Sequence, residues 1–349
     1  TGGDTPDTPL PKISTIVGTP VTENTKVEDE YGNKITIPKG FKVLPHGTEA
    51  GSANYTYSGN NNPTVQDGIV IEDTQTETLG NQFVWVPVGT IKNKDNTTNT
   101  ITLGRYEFDE STGMLNSNTP VQNATKYDQE TIVIFDDDEY KELSTFREGN
   151  SATDSTAENA TARDLKAFIE TTLANGGYYI ARFEASGTTE KIESKYNQTV
   201  VANITQPNAA KVAREMYGEV KENENLLYAS DLVNSYAWDT AIIFIQTYSA
   251  EADASIYSSK NKSTSFANTG INNDKYCNIW DMSGNAAEWT TEYSTYFQSS
   301  EDYTPCTVRG GYFHIESWTN IDYTSYRYGY GYTTGKENNI SLRPLLYVK

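Results

Sequence analysis

Cysteine and histidine are almost missing from this sequence: its 349 residues hold two of each. Two thiols, Cys277 and Cys306, and two imidazoles far apart in the chain, His46 and His314, are too few for a Cys/His metal cluster or a convincing Ser-His-Asp arrangement. One intrachain disulfide is the most the chain can form, and that bridge and a pair of buried free thiols stand as equal readings. Basic residues are also scarce, 27 Lys and Arg against 47 Asp and Glu, for a formal charge of −20. Like-charge repulsion then argues against nucleic acid and anionic bilayers as partners. No run approaches the roughly 18 apolar residues of a membrane span, so no transmembrane segment is expected. An initiator Met is absent too. From the opening Thr1-Gly2-Gly3-Asp4 we expect a removed leader or an upstream membrane or pilus anchor, and an extracellular, cell-surface or virion-surface location.

What the chain has instead is aromatic bulk: 25 Tyr, 11 Phe and 5 Trp, enough large rigid side chains to fill a core with little Leu and Met. Residues 1–18, with Pro6, Pro9 and Pro11 among Thr and Gly, read as a flexible linker or stalk. Residues 19–349 read as one elaborated domain. Its N-terminal β extension, 19–65, includes a hairpin turning at Gly32-Asn33. Gln82–Val88 has the composition of a central strand, and Ile101–Phe108 that of another. A polar, acidic region from about 110 to 160 reads as an insertion, and its Asp136–Glu139 run as a solvated turn or helix start.

Helical spacing appears at Leu165, Phe168, Ile169, Thr172 and Leu173, stopped by Asn175-Gly176-Gly177, and a strand Tyr178–Glu184 follows. Thr205 is placed to cap a second helix with Pro207 in its first turn. A third is expected from near Ser230-Asp231; its Ala237, Trp238, Ala241, Ile242, Phe244 and Ile245 cover most of the circumference, the mark of a buried core helix.

The stretch Asn278-Ile279-Trp280-Asp281-Met282-Ser283-Gly284-Asn285-Ala286-Ala287-Glu288-Trp289, then Val308-Arg309-Gly310-Gly311, then Leu342-Arg343-Pro344, forms a distinctive ordered set. With Val84-Trp85-Val86-Pro87 and Gly176–Glu184 it resembles the formylglycine-generating-enzyme (sulfatase-modifying-factor) family over roughly residues 66–349. The resemblance implies an α+β, C-type-lectin-like fold: two to three helices around small mixed sheets, long irregular loops, and the first and last strands paired. Enzymes of that family carry two cysteines shortly after Arg-Gly-Gly to hold copper; the matching positions here are Ile315 and Asn320, which offer copper(I) no thiolate.

The same motif order is similar to that of the variable proteins of diversity-generating retroelements, whose segment after Arg-Gly-Gly is rewritten to display a ligand-binding surface. Residues 301–332 hold seven tyrosines here, where 25 in 349 predicts roughly two. Tyr with Ser, Gly and Asn is paratope chemistry, a large ring at low entropy cost with an adaptable hydroxyl. Tyr326, Tyr328, Tyr330 and Tyr332 alternate, so an extended run would put their rings on one face.

We therefore expect a non-enzymatic display protein recognising a protein or glycan ligand on another cell or virion. Its contacts are expected at Tyr312, His314, Ile315, Ser317, Thr319, Asn320, Asp322, Tyr323, Ser325, Tyr326, Tyr328, Tyr330 and Tyr332. No cofactor is required. For Asp281, Asn285 and Glu288 the resemblance leaves two readings: a calcium site, with Asn285 and Glu288 as metal ligands, or buried hydrogen bonds that pin the loop. Arg309 and Arg343 are expected to support that loop from below, and Trp85, Trp280 and Trp289 to be core; Trp318 is left open between core and surface. Two other classes are carried: an enzyme with changed chemistry using His314, Glu316 and Asp322, and a structural surface subunit.

Overall fold

The computed structural model describes residues 9–52, 55–120, 123–126, 129–136, 139–142, 162–217, 227–249, 264–294, 306–313, 323–330 and 338–349. Strands β1 (Thr25–Glu28) and β2 (Lys34–Ile37) form the expected hairpin at Gly32-Asn33, followed by β3 (Phe41–Val43), β4 (Val70–Asp73) and β5 (Gln82–Pro87). A second hairpin, β6 (Gly89–Lys92) and β7 (Thr98–Ile101), precedes β8 (Asn123–Lys126), β9 (Gln129–Asp136) and β10 (Glu139–Glu142). Helix α1 (Leu165–Asn175) leads into β11 (Gly177–Ala181) and the short pair β12 (Ser186–Gly187) and β13 (Ile192–Glu193). Next come α2 (Gln206–Glu215), β14 (Tyr228–Leu232) and α3 (Ser235–Tyr248). The chain closes with β15 (Ala287–Ser294), β16 (Cys306–Arg309), β17 (Arg327–Tyr330), β18 (Ile340–Leu342) and β19 (Pro344–Val348).

Helix ends follow local chemistry. The Thr205 hydroxyl accepts from Asn208 N at 3.4 Å to cap α2, and Asn234 Oδ1 accepts from Ala237 N at 2.9 Å to cap α3. Gly176 ends α1 at φ 75°, a left-handed conformation that suits glycine. Every residue of α3 from Ser235 to Ile245 is buried, as its all-round apolar composition predicts.

Two sheets organise the molecule. One runs β14-β19-β11-β5-β4-β3, entirely antiparallel. The other runs β10-β9-β15-β16-β17, with β8 beside β9 and β18 parallel to β15. A large apolar core with Trp85 and Trp238 packs at the first sheet, and a second core gathers Trp289, Val308, Leu342, Tyr323 and Tyr326. The architecture is α+β, three described helices and small sheets joined by long irregular connections, the layout implied by the lectin-like resemblance.

Several expectations are corrected. The linker ends earlier than residue 18: Ile13 is 1 % exposed, and Val17 bridges to Val43, because these two apolar side chains seal the edge of the first sheet. Within the 110–160 region β9 pairs with β15 and joins the second sheet. Asp136 ends β9 and Glu139 starts β10, and Asp137 and Asp138 lie outside the described residues. Regular pairing at 101–108 stops at Ile101, where Gly104 and Tyr106 turn their backbone amides to Thr240 and Asp239 of α3. Helix α3 starts at Ser235, because Ser230-Asp231 is spent in β14 against β19. Leu173 is 57 % exposed and lies off the buried face of α1. The last strand, β19, sits between β11 and β14 in the sheet that holds the early strands, and does not pair with the first of them.

Candidate functional site

The motif from Asn278 to Trp289 forms a tightly turned loop, with Asn278, Asp281 and Asn285 all at positive φ near 60°. Asn tolerates that region better than most residues, and Gly284 and Gly310 share it. Gly284 N donates to Gly310 O at 2.7 Å, and a Cβ on Gly310 would meet Met282 O at 2.9 Å, so the Arg-Gly-Gly turn and the loop approach backbone to backbone. Asn285 ties three segments together. Its Oδ1 accepts from Ala267 N at 2.9 Å, its amide donates to Glu184 Oε2 at 2.6 Å, and its carbonyl accepts from Phe313 N at 3.0 Å.

Arg343 lies beneath this loop with no exposure. It donates to the carbonyls of Ala181 (2.9 Å), Trp280 (2.9 Å) and Asp281 (3.0 Å), and to Glu288 Oε1 at 2.7 Å. One planar guanidinium thus satisfies backbone groups of two segments, the supporting role expected of it. Glu288 Oε2 accepts from Trp238 Nε1 at 3.0 Å. The Glu184 carboxyl is pushed well above its ordinary range by burial and by Asp281 and Glu288, and Asp281 is raised by burial and Asp274.

Asn285 Oδ1 accepts from Ala267 N, the two Glu288 carboxylate oxygens accept from Arg343 and Trp238, and Asp281 Oδ2 accepts from Gly270 N at 2.7 Å while its Oδ1 is buried with no hydrogen-bond partner among the described residues. Through these bonds Asn285 and Glu288 pin the loop. Among the described residues no group of three or more His, Cys, Asp or Glu is arranged to hold a metal.

A second buried ionic cluster ties Arg309 and Arg327, on either side of residues 310–326, to α3. Asp239, inside α3, has Oδ1 2.7 Å from Arg309 Nη2 and Oδ2 2.5 Å from Arg327 Nη2. Its Oδ2 also accepts from Tyr106 N at 2.8 Å. Arg327 Nε donates to Glu292 Oε2 at 3.1 Å, and Arg105 donates to Glu292 Oε1. The Arg309 guanidinium stacks 4.3 Å from the Trp238 ring, which offsets part of its desolvation. Burial and the neighbouring Arg327 hold its pKa well below the usual arginine range. Arg309 and Arg327 therefore grip one carboxylate from either side of residues 310–326.

Sequence reasoning missed Asp239, Arg105, Glu292 and Arg327. The available signal was an aspartate in a helix apolar on nearly every face, which has to meet a cation once buried.

The expected contact residues divide. Tyr312 is half-buried at the rim, and Tyr328 is half-buried with its ring stacked on Tyr326 at 5.6 Å and 6°. Tyr323 (2 % exposed), Ser325 and Tyr326 (both 5 %) lie inside: the two rings join the second core, and neighbouring Thr324 hydrogen-bonds Ser283 at 2.7 Å. This corrects their assignment to the surface; the rings find apolar packing against Val308 and Leu342, which favours burial over exposure. Tyr330 pairs through its backbone with Cys306. His314, Ile315, Glu316, Ser317, Trp318, Thr319, Asn320, Asp322 and Tyr332 lie outside the described residues. Trp85, Trp280 and Trp289 are buried.

Both cysteines are free thiols. Cys277 packs against the first core and Cys306 lies in the second. Burial pushes the Cys306 thiol up to about 12 and raises Cys277 further, so neither is a ready nucleophile. His46, half-exposed, faces Asp67 at 3.5 Å.

No family model matches the chain, and no curated protein matches it. Among solved structures it aligns with one titled "Major Tropism Determinant I1 Variant" at 12 % identity and TM-score 0.36, over 98 % of this chain and 100 % of that one. It also aligns with "Crystal Structure of CarF" at 13 % identity and TM-score 0.34, over 50 % of this chain and 87 % of that one. A third is "Treponema denticola variable protein 1", at 12 % identity and TM-score 0.30, over 77 % and 96 %. Alignments this remote leave the function of the site to its own residues.

Proposed function

We propose that this is a non-enzymatic display protein in which a buried ionic scaffold presents the segment from Tyr312 to Tyr332 to a protein or glycan ligand outside the cell or on a virion. The observation that carries this reading is the double grip of Asp239 on Arg309 and Arg327, which ties the chain to α3 before the tyrosine-rich segment and again within it, just ahead of Tyr328 and Tyr330. Fixed anchor points reduce the ordering cost of binding, and the paratope-like composition of residues 312–332 supplies contact area. The buried thiols and the cysteine-free Ile315 and Asn320 positions speak against oxidase chemistry.

In this reading Tyr312, Tyr328 and Tyr330 are contact residues, with His314, Ile315, Ser317, Thr319, Asn320, Asp322 and Tyr332 completing the face. Tyr323, Ser325 and Tyr326 support it from inside. Asn285 and Glu288 serve the loop through hydrogen bonds, and no cofactor takes part. The test is capture of ligands from arrays of glycans and of cell-surface proteins by the wild-type chain and by a Tyr312→Ala/Tyr328→Ala/Tyr330→Ala variant. Loss of captured partners by a variant that melts like wild type is the expected result; undiminished capture overturns the reading.

A further inference from the structure

Loop 107–116 lies beside the C-terminal segment, and between them is a cavity of about 370 Å³ lined by Glu107, Phe108, Asp109, Glu110, Ser325 and Arg327 among others. That volume falls in the range of about 300–1,000 Å³ typical of ligand pockets.

Its two walls are tied together from behind. Arg327 Nη1 donates to Tyr106 O at 3.1 Å, and Arg327 Nη2 and Tyr106 N both reach Asp239 Oδ2. The outer side of the loop is fixed to α3: Gln246 Oε1 accepts from Leu115 N at 3.1 Å, and Gln246 Nε2 donates to Gly113 O at 2.8 Å. The cavity is thus formed before any ligand arrives, and an occupant has little ordering cost to meet.

The charge of the lining selects the occupant. Among the described residues three carboxylates line it against one cation, Arg327, which is ion-paired with Asp239 and Glu292. Asp109 is held charged by hydrogen bonds from the hydroxyls and amides of Ser111 and Thr112, which bring its acidity down to about 2. Phe108 supplies an apolar wall for an alkyl stem, and the chain as a whole carries −20.

We infer that this cleft receives a lysine or arginine side chain of a protein ligand, so the recognition face extends beyond the tyrosine-rich segment to the 107–116 loop. The inference rests on the display reading for its biological context, but its chemistry is tested separately.

The probe is a fluorescently labelled tetralysine peptide, with tetraglutamine as the neutral control, titrated at low ionic strength. The variant Glu107→Gln/Glu110→Gln is compared with Glu23→Gln/Glu170→Gln, which removes the same two charges from exposed positions elsewhere. Two lost ammonium–carboxylate contacts should weaken tetralysine binding about fivefold, and the distant pair should change it less than twofold, with melting temperatures unchanged in both. Equal losses in the two variants, equal binding of tetraglutamine, or no tetralysine binding to wild type overturns the inference. Failure of the display reading shows separately, as retained ligand capture by the tyrosine variant.

Discussion

Replacing Asp239 by Asn removes one negative charge from the interior at almost constant volume. The carboxylate it replaces lies 2.7 Å from Arg309 and 2.5 Å from Arg327, and all three side chains are nearly or fully without exposure. After the change Arg327 keeps Glu292, while Arg309 keeps only the Trp238 ring among these partners. Breaking a buried pair by removing one partner costs about 3–5 kcal/mol, because the surviving charge stays desolvated. Both pairs share one carboxylate, so the two losses do not simply add, and we expect about 4 kcal/mol in total. Against the usual margin of about 5–15 kcal/mol that is a large fraction. Equilibrium urea unfolding followed by tryptophan fluorescence measures it, with a lower midpoint and an unchanged slope. A cycle with Arg327→Met should give a coupling of at least about 1 kcal/mol. A loss below about 1 kcal/mol, or additive single mutants, would refute the claim that Asp239 holds these arginines.

Arg343→Lys keeps the charge but loses the fork that serves three carbonyls and Glu288; orphaned carbonyls at about 1–3 kcal/mol each predict a loss of at least about 2 kcal/mol by thermal or urea unfolding. An unchanged stability would show that the fork is dispensable. Burial outweighs the attraction of Arg214 and lifts the Asp231 carboxyl to about 7. A raised carboxyl favours the folded state at low pH, so its contribution is complete below its unfolded value near 4 and is lost as pH rises through about 7. Asp231→Asn should therefore flatten the decline of melting temperature between those values, and an unaltered slope would assign the decline elsewhere. Tyr323→Ala should cost about 3–5 kcal/mol as a core truncation, and Tyr328→Ala clearly less because its ring is half-solvated; the reverse order would contradict their placement.

The parts of the fold legible in the sequence were those whose signal is local. Asn and Gly at the turns of 278–285 and 310 mark backbone that few residues adopt, and Thr205 and the Asn175-Gly176 pair mark helix ends. Trp85, Trp280 and Trp289, expected in the core as large aromatic bodies, are buried. What stayed hidden depends on distance along the chain. Arg327 meets Asp239, 88 residues away, and Tyr106, 221 away, and no spacing rule links such positions. Tyrosine was the other obstacle: the alternation at 326 and 328 fixes which side the rings share, and Tyr326 and Tyr328 do stack, but a residue both apolar and hydroxylated gives no sign of whether that side meets solvent or a core. Ser230-Asp231 was misread because the same residues that start helices also fill a buried strand end, and only the pairing with β19 settles it.

The two arginines that flank residues 310–326 meet at a single carboxylate, so that stretch is topologically a closed ring hung on α3. Joining the ends of a flexible stretch of about this length ordinarily carries an entropy cost near 2.5 kcal/mol, growing only with the logarithm of length. Here Asp239 holds the two ends from outside the ring, and Tyr323, Thr324 and Tyr326 inside it add contacts to the second core and to Ser283. The residues of the ring that the second core takes in, Tyr323 and Tyr326, therefore carry folding information for it, and a substitution at either is felt by the scaffold.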